Sequence, residues 1–409
     1  MAESARASRS GVHRLGRTAI AVTLGAWFCW QIGAAGFAGL AVRSADPRLL
    51  AVTSTPSHPE AGSIFAQSLL AAGDAAGAAR IAQSIVQIDP TNNRALRVLG
   101  LATEKLGHRD AGARIMREAA NLGWRDTPTQ LWILQDAALR DDAVTVIRRA
   151  DALARRGRFP DYTRSIFLAS LNEPRLRAGL AESLAKHPVW RTSFFSDVHQ
   201  RLPANSTTGM EALFREMRAH RQGIAPNEWL NYIDRLVDLG DFRRARTLWA
   251  INFSIPPARF GETPYDGTFA LASKRPSDAA TSQFEWVLNP DTAGAVVFNP
   301  GPRDASLTIP AELAGGTTIA SQLMILSPRS YTLTARVDGD AASAAAGWNI
   351  TCLPSGRELS RRLTRGADDE LSTVAFDVPK DSCAAQRLTL ITRDRSDAQI
   401  VSIGDVRIR

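Results

Sequence analysis

The sequence has 409 residues, of which 44% are hydrophobic and 22% are charged, so it is long and apolar enough to fold into two or three domains with real cores. The formal net charge of +8 is spread over many arginines, and no long Lys/Arg run with interleaved aromatic residues occurs. This argues against a nucleic-acid-binding protein and favours, at most, a weak attraction to anionic polymers or lipid surfaces.

The first predicted element is a membrane anchor over residues 18–42. From 19 to 42 the sequence AIAVTLGAWFCWQIGAAGFAGLAV has no charged residue, and as a helix it is long enough to cross about 30 Å of hydrocarbon. Residues 1–17 form a predicted cytoplasmic basic tail with four arginines, which orients the rest of the chain outward. Residues 43–59 are a predicted tether, and the bulk is predicted to be periplasmic on a single-pass bacterial inner-membrane protein. A cleaved signal peptide is the alternative.

Residues 60–253 have apolar residues three and four positions apart, which predicts consecutive helices. Two segments align at an interval of about 34 residues, and a later segment echoes them. The residues that carry this pattern are small or end helices: Gly73, Ala78, Pro90, Gly100, Gly107, Gly112, Gly240 and Ala245. A period of 34 with these features resembles the tetratricopeptide repeat (TPR). The resemblance implies a TPR-like α-solenoid whose concave face holds a protein partner.

Residues 254–282 contain four prolines and are predicted to be a linker. From 283 to 409 the period changes to two, and short apolar runs separated by Pro and Gly predict an antiparallel β-sandwich of eight or nine strands. Its strand pattern resembles a jelly-roll of the carbohydrate-binding-module or galactose-binding type. That resemblance implies glycan contacts by aromatic and neighbouring polar side chains, here Trp286, Trp348 and Asn349. Alternatively, both tryptophans fill the core.

The cysteines bear on the compartment. Cys352 and Cys383 lie 31 residues apart in the predicted sandwich, and in an oxidising compartment they are expected to form a disulfide. Two separate buried thiols are the alternative. The remaining Cys29 lies in the predicted anchor, where it is a small apolar residue.

Sequence signatures of catalysis are missing. The sandwich has no histidine, and no nucleophile elbow, phosphate-binding loop or zinc-binding helix motif occurs. We therefore expect no catalytic residue, no cofactor and no metal. The predicted class is multidomain, α-helical plus all-β, and the combination resembles accessory proteins of bacterial envelope polysaccharide assembly. That implies a non-catalytic binding or scaffold protein in exopolysaccharide or envelope assembly, with a protein and a glycan as partners. The alternatives are an envelope glycan hydrolase or lyase and a purely structural assembly subunit.

Overall fold

A computed structural model of the chain describes residues 26–27, 29–30, 32–44, 46, 49–50, 58–220, 223–276, 279–292, 294–300, 305–310, 312–338, 346–360, 364–365, 371–392 and 400–409. The chain divides into two compact units, Met1–Thr163 and Arg164–Arg409. The architecture is a helical region followed by a β-sandwich, as the sequence predicts at this level.

The N-terminal region is described in part. The predicted tail 1–17 lies outside the described residues, as do 18–25, 28 and 31 of the predicted anchor and 45, 47–48 and 51–57 of the predicted tether. Residues 32–44 are helical, and Ala38 and Ala41 are buried against Leu50 and Ala61. No helix within the described ranges combines the length and the apolar character that crossing a bilayer needs. The transmembrane helix therefore stays a prediction.

The helices follow in order: α1 Pro59–Ala71, α2 Ala75–Ile88, α3 Asn93–Lys105, α4 Arg109–Leu122, α5 Thr127–Leu139, α6 Ala143–Arg155, α7 Pro160–Ser170, α8 Pro174–Ala185, α9 Arg191–Arg201, α10 Thr207–Ala219, α11 Pro226–Asp238, α12 Phe242–Asn252 and α13 Pro257–Phe260. Short 3₁₀ turns lie at Ala204–Ser206 and Ala272–Lys274.

Helices α1, α3, α5 and α11 end in the same way. Each is followed by a residue with positive φ: Gly73 and Gly107 at +94°, Asp141 at +56° and Gly240 at +80°. After α1, the N–H of Asp74 donates to Leu69 O at 2.9 Å and the N–H of Gly73 donates to Leu70 O at 3.2 Å. This is the Schellman pattern, which satisfies the last carbonyls of a helix and turns the chain back. Repeated helical hairpins result.

Small residues set the approach of the helices within hairpins. A methyl group built on Gly112 of α4 would lie 2.6 Å from the carbonyl oxygen of Gly100 in α3, so these two helices touch through their backbones. Ala78 of α2 and Ala245 of α12 are fully buried, and Pro90 follows the end of α2. All the residues singled out by the 34-residue pattern therefore lie at helix ends or helix contacts.

The helices of the second unit pack around stacked aromatic rings. Phe167 stacks on Trp190 with centroids 4.3 Å apart, and Phe214 lies 4.0 Å from Trp229. Trp249 of α12 contacts Phe284 at a centroid distance of 5.6 Å, which joins this helix to the segment that leads into β1. Aromatic pairs of this kind add to the stabilisation that burial supplies.

The sandwich consists of strands β1 Val287–Leu288, β2 Val297–Asn299, β3 Ser306–Ile309, β4 Thr318–Met324, β5 Ser330–Asp338, β6 Ala346–Pro354, β7 Glu358–Ser360, β8 Thr364–Arg365, β9 Leu371–Asp377, β10 Cys383–Thr392 and β11 Val401–Ile408. They form two antiparallel sheets in the orders β1-β4-β10-β6-β7 and β2-β3-β11-β5-β9-β8. Alternate residues such as Tyr331, Leu333 and Ala335 are buried between the sheets, as a period of two predicts.

Two features tie the sandwich together. Cys352 of β6 and Cys383 of β10 form a disulfide, which confirms the predicted pairing. The segment 254–282, predicted as a linker, contributes Phe269 and Ala272 to the sandwich core. The backbone of Gly267 in this segment also accepts a hydrogen bond from the N–H of Val406 in β11, at 2.8 Å. This segment is therefore built into the β-domain.

Candidate functional site

The outer surface of the sheet β1-β4-β10-β6-β7 has a row of polar side chains. Thr389 of β10 lies directly opposite Ser321 of β4 on one side and Asn349 of β6 on the other. Their chain neighbours are buried in the core: Ala320, Leu390 and Trp348. Because successive side chains of a strand point to opposite faces, Ser321, Thr389 and Asn349 point away from the core.

A second row runs beside the first. Arg387 lies opposite Leu323 of β4 and Thr351 of β6, and Thr351 lies opposite Glu358 of β7. Arg387, Thr351 and Glu358 are half-buried, whereas Leu323 is only 3% exposed because it packs where the last helices meet the sandwich. We call the side chains of Ser321, Thr389, Asn349, Thr351 and Arg387 the outer polar face.

Helix α11 reaches the edge of this face through a chain of hydrogen bonds. Arg387 Nη2 donates to Gln283 Oε1 at 2.9 Å, and Gln283 Nε2 donates to Asp234 Oδ1 of α11 at 2.9 Å. The Gln283 amide thus has a fixed orientation, since a cation occupies its oxygen and a carboxylate its nitrogen. These hydrogen bonds fix the position of α11 relative to the sheet.

The two ends of this series of hydrogen bonds differ in charge: Arg387 is a cation and Asp234 carries a carboxyl group. Burial raises the pKa of Asp234 above its ordinary value of 3.8, although the hydrogen bond from Gln283 acts in the opposite direction. Asp238 lies one turn further along α11, and its Oδ2 is 3.5 Å from Nε2 of His199. The edge of the outer polar face therefore combines a cation, Arg387, with one desolvated carboxylate, Asp234.

Asn349 has incomplete hydrogen bonding. Its Oδ1 is buried with no partner among the described residues, and its Nδ2 makes only a long 3.5 Å contact with Glu358 Oε1. A buried acceptor without a donor costs about 1–3 kcal/mol. Rotation of this amide toward a hydroxyl donor on a ligand would remove that cost.

The two predicted glycan-contact tryptophans are not part of this face. Trp286 and Trp348 are each 2% exposed, with centroids 6.2 Å apart, and Trp286 Nε1 donates to Asp266 O at 3.0 Å. Neither ring offers a surface on which a sugar can stack. Of the three predicted contacts, only Asn349 lies on the outer face.

A concavity of about 490 Å³ lies beside the ion pair of Arg191 in α9 and Glu228 in α11. Arg191 Nε and Nη2 donate to the two carboxylate oxygens of Glu228 at 2.6 and 2.7 Å. The guanidinium also contacts three further acceptors: Leu184 O, His187 Nδ1 and Gly223 O. Both charged groups are buried and satisfied within the protein, so this pair fixes the helices and leaves no free charge for a ligand.

Within the described ranges, no three His, Cys, Asp or Glu residues gather in a way that could hold an ion. The outer polar face offers hydroxyl, amide and guanidinium groups. These suit recognition of a ligand rich in hydrogen-bonding groups.

The sequence reasoning missed most of this face. Arg387 and Thr389 lie in RLTLIT, a run with clear alternation, so their outward direction was available from the period of two. The contacts of Gln283 with Asp234 and Arg387 join residues 49 and 104 positions apart, and no local pattern signals them.

No known family matches the sequence, and no curated protein matches it. Among solved structures, CBM4 has 16% sequence identity, a TM-score of 0.24 and coverage of 32% of this chain and 90% of its own. TmCBM61 in complex with beta-1,4-galactotriose has 15% identity, a TM-score of 0.23 and coverage of 30% and 87%. The structure of accessory secretory protein 1, 2 and 3 in Streptococcus pneumoniae has 14% identity, a TM-score of 0.22 and coverage of 28% and 84%. Such scores carry no argument about function.

Proposed function

We propose that this chain is a non-catalytic, membrane-anchored binding and scaffold protein of the bacterial envelope, with its bulk in the periplasm. In this proposal the outer polar face binds a glycan, and the helical hairpins, in a TPR-like arrangement, hold a protein partner. The setting is exopolysaccharide or envelope assembly.

The observation that carries the glycan assignment is the row of Ser321, Thr389 and Asn349 on one sheet face. A sugar presents hydroxyls that both donate and accept hydrogen bonds, and this row offers two hydroxyls and an amide with an unpaired oxygen. Thr351 and Arg387 extend the same surface. Because no tryptophan platform contributes, we expect affinity to come from several hydrogen bonds, each contributing modestly.

The compartment assignment has two supports. The disulfide between Cys352 and Cys383 belongs to an oxidising compartment. In the predicted anchor 18–42, large apolar side chains are exposed: Trp27, Trp30, Ile32, Phe37 and Leu40. A cluster of this kind on the surface of a helix marks a protein or membrane contact, and the four arginines before it orient the chain.

The test is glycan binding by the full chain in detergent, first on an array of envelope-type oligosaccharides and then by calorimetry on the strongest ligand. Thr389→Val removes a hydroxyl and keeps the shape, and we expect affinity to fall about five- to tenfold. Thr332→Val, at an exposed site on the opposite sheet, is the matched control and should bind as the native chain does. Absence of binding to every glycan, or equal binding by both variants, would refute the assignment.

A glycan-active enzyme is the alternative that one observation favours. Asp234 has a raised pKa, as a general acid needs, and Asp238 lies one helical turn away. We favour binding because Asp234 is already occupied in holding Gln283. Glycan turnover that disappears in both Asp234→Asn and Asp238→Asn would establish the enzyme instead.

A purely structural assembly subunit is favoured by the burial of Trp286 and Trp348. In that case the outer polar face contacts a protein. Co-purification of a stoichiometric envelope protein that Thr389→Val releases, together with no glycan binding, would identify this function.

A further inference from the structure

An exposed tryptophan of the first unit carries a guanidinium on one face of its ring. Trp124 follows α4 and is 45% exposed. The guanidinium carbon of Arg149, in α6, lies 3.9 Å from the Trp124 ring centroid. This is a close cation–π contact, and it leaves much of the indole accessible.

Arg149 is a buried cation with no carboxylate partner in the described part of the chain. It is 7% exposed, its Nη1 donates to Gln130 Oε1 at 2.6 Å, and its Nε has no partner among the described residues. Arg97, which is buried to the same degree, contacts the carboxylate of Asp126 as well as Gln67. A buried charge without a counter-ion is costly, so an anion bound beside Arg149 would relieve a cost that Arg97 does not have.

Further arginines surround this pair. Arg148 precedes Arg149 in α6 and is exposed. Burial lowers the pKa of Arg149, and the charge of Arg148 lowers it further. Arg156 Nη1 donates to the carbonyl oxygen of Arg125 at 2.9 Å, next to Trp124. We call Trp124, Arg125, Arg148, Arg149 and Arg156 the Trp124 patch. Three of its four arginines are exposed, so it attracts anions from solution.

The acidic residues near the patch have other partners: Asp151, one turn after Arg148 in α6, pairs with Arg155 at 2.9 Å. Asp142 interacts with Arg148, but its principal partner is Thr145, whose N–H donates to it at 3.1 Å at the start of α6. Asp126 is engaged by Arg97. The cations of the patch therefore outnumber the carboxylates that can offset them.

We infer that the Trp124 patch binds an acidic polysaccharide, with a uronic-acid ring on the exposed indole and its carboxylate beside Arg148 and Arg149. The π face of an indole is electron-rich and attracts the C–H face of a sugar ring. The groups around it are guanidinium donors, which match a ligand rich in carboxylate, hydroxyl and ring oxygens. A bound peptide would also present N–H donors, and those need acceptors. This site lies in a different unit from the outer polar face and stands independently of the function proposed above.

The test is calorimetry on the full chain in detergent with a defined oligouronide, and with the same oligosaccharide after reduction of its carboxylates to alcohols. We expect binding of the oligouronide alone, weakening as salt is raised. Trp124→Ala should lower the affinity about tenfold and Arg148→Gln about threefold. Arg140→Gln is the control, since Arg140 is an exposed arginine with its own partner, Asp136, at 2.7 Å.

Two binding results would overturn the inference. Equal affinity of the Arg148→Gln and Arg140→Gln variants for the oligouronide overturns the inference, and the exposed position of Arg148 keeps this comparison available if Trp124→Ala misfolds. Binding of poly-L-glutamate but not of the oligouronide also overturns it, in favour of an acidic protein ligand. Thr389→Val should leave this binding unchanged, so failure here and failure of the outer polar face are distinguishable.

Discussion

The buried ion pair between Arg191 and Glu228 holds α9 against α11, the helix that carries Asp234 to the edge of the outer polar face. Glu228 accepts two hydrogen bonds from the guanidinium and a third from the backbone N–H of Ala225, at 2.9 Å. Glu228→Gln keeps the size of the side chain but replaces one accepting oxygen with a donating NH₂ group. That group would then face donors only.

The expected loss is large because the remaining charge stays buried. Removing one partner of a buried ion pair typically costs about 3–5 kcal/mol. The sum of two charge-assisted hydrogen bonds, at about 1.5–3 kcal/mol each, gives a similar figure. The exposed pair Lys186–Glu182, at 2.8 Å on the surface of one helix, should by contrast contribute about 0.5 kcal/mol or less.

The assay is urea-induced unfolding of the full chain, with amide hydrogen exchange in α9 and α11 used to assign the transition. We expect Glu228→Gln to lower the free energy of that transition by about 3–5 kcal/mol and Glu182→Gln to leave it nearly unchanged. Combining Arg191→Met with Glu228→Leu should cost at least about 2 kcal/mol less than the two single changes added together. A loss below about 1 kcal/mol in Glu228→Gln would show that the pair is solvated in solution and would refute this reasoning.

Three further changes test other parts of the structure. Replacing Cys352 and Cys383 by Ser should lower the free energy of unfolding by about 3–4 kcal/mol, the value for a 31-residue loop, in denaturant unfolding without reductant. Gly112→Ala places a methyl against Gly100 O and should cost about 1–2 kcal/mol in thermal unfolding, because overpacking outweighs the gain in helix propensity. The folded native chain binds the Asp234 proton more tightly than the unfolded chain does, so it loses stability as pH rises above 3.8. Asn does not titrate, so Asp234→Asn should become more stable relative to the native chain over the same pH range.

Each of these has its own control. Reductant should destabilise the native chain but not the double serine variant, which keeps only the exposed Cys29. Gly261→Ala adds its methyl to open space at a φ of −83° and should change stability by less than about 0.5 kcal/mol. A pH-independent difference between Asp234→Asn and the native chain would mean that Asp234 has the same proton affinity in both states.

The helical hairpins could be predicted because their signal is local. Gly73 and Gly107 mark a left-handed turn after a helix, and such a turn depends on a few adjacent residues. The third turn is made by Asp141, again 34 residues on. Asp tolerates positive φ, so the turn survives although its glycine signature is lost.

The strands of the sandwich could be predicted from the sequence, but the side chains that lie on its surface could be predicted only in part. In β6, the face that carries Trp348 and Ile350 is more apolar than the face that carries Asn349 and Thr351, so the alternation already favoured a buried Trp348. Trp286 precedes the two-residue strand β1, which is too short for alternation to decide. The link from Arg387 to α11 depends on tertiary packing alone.

The helix at residues 32–44 has a mechanical consequence. Ala41 is fully buried on the first hairpin through Ala61, so that turn is not available to lipid. If the preceding residues 19–37 cross the bilayer, they span about 28 Å, close to the whole hydrocarbon thickness. The connection between the anchor and the first hairpin would then be rigid, because Ala41 packs on Ala61. The first hairpin would keep one tilt relative to the membrane surface. A bulky side chain at Ala41 would loosen that connection.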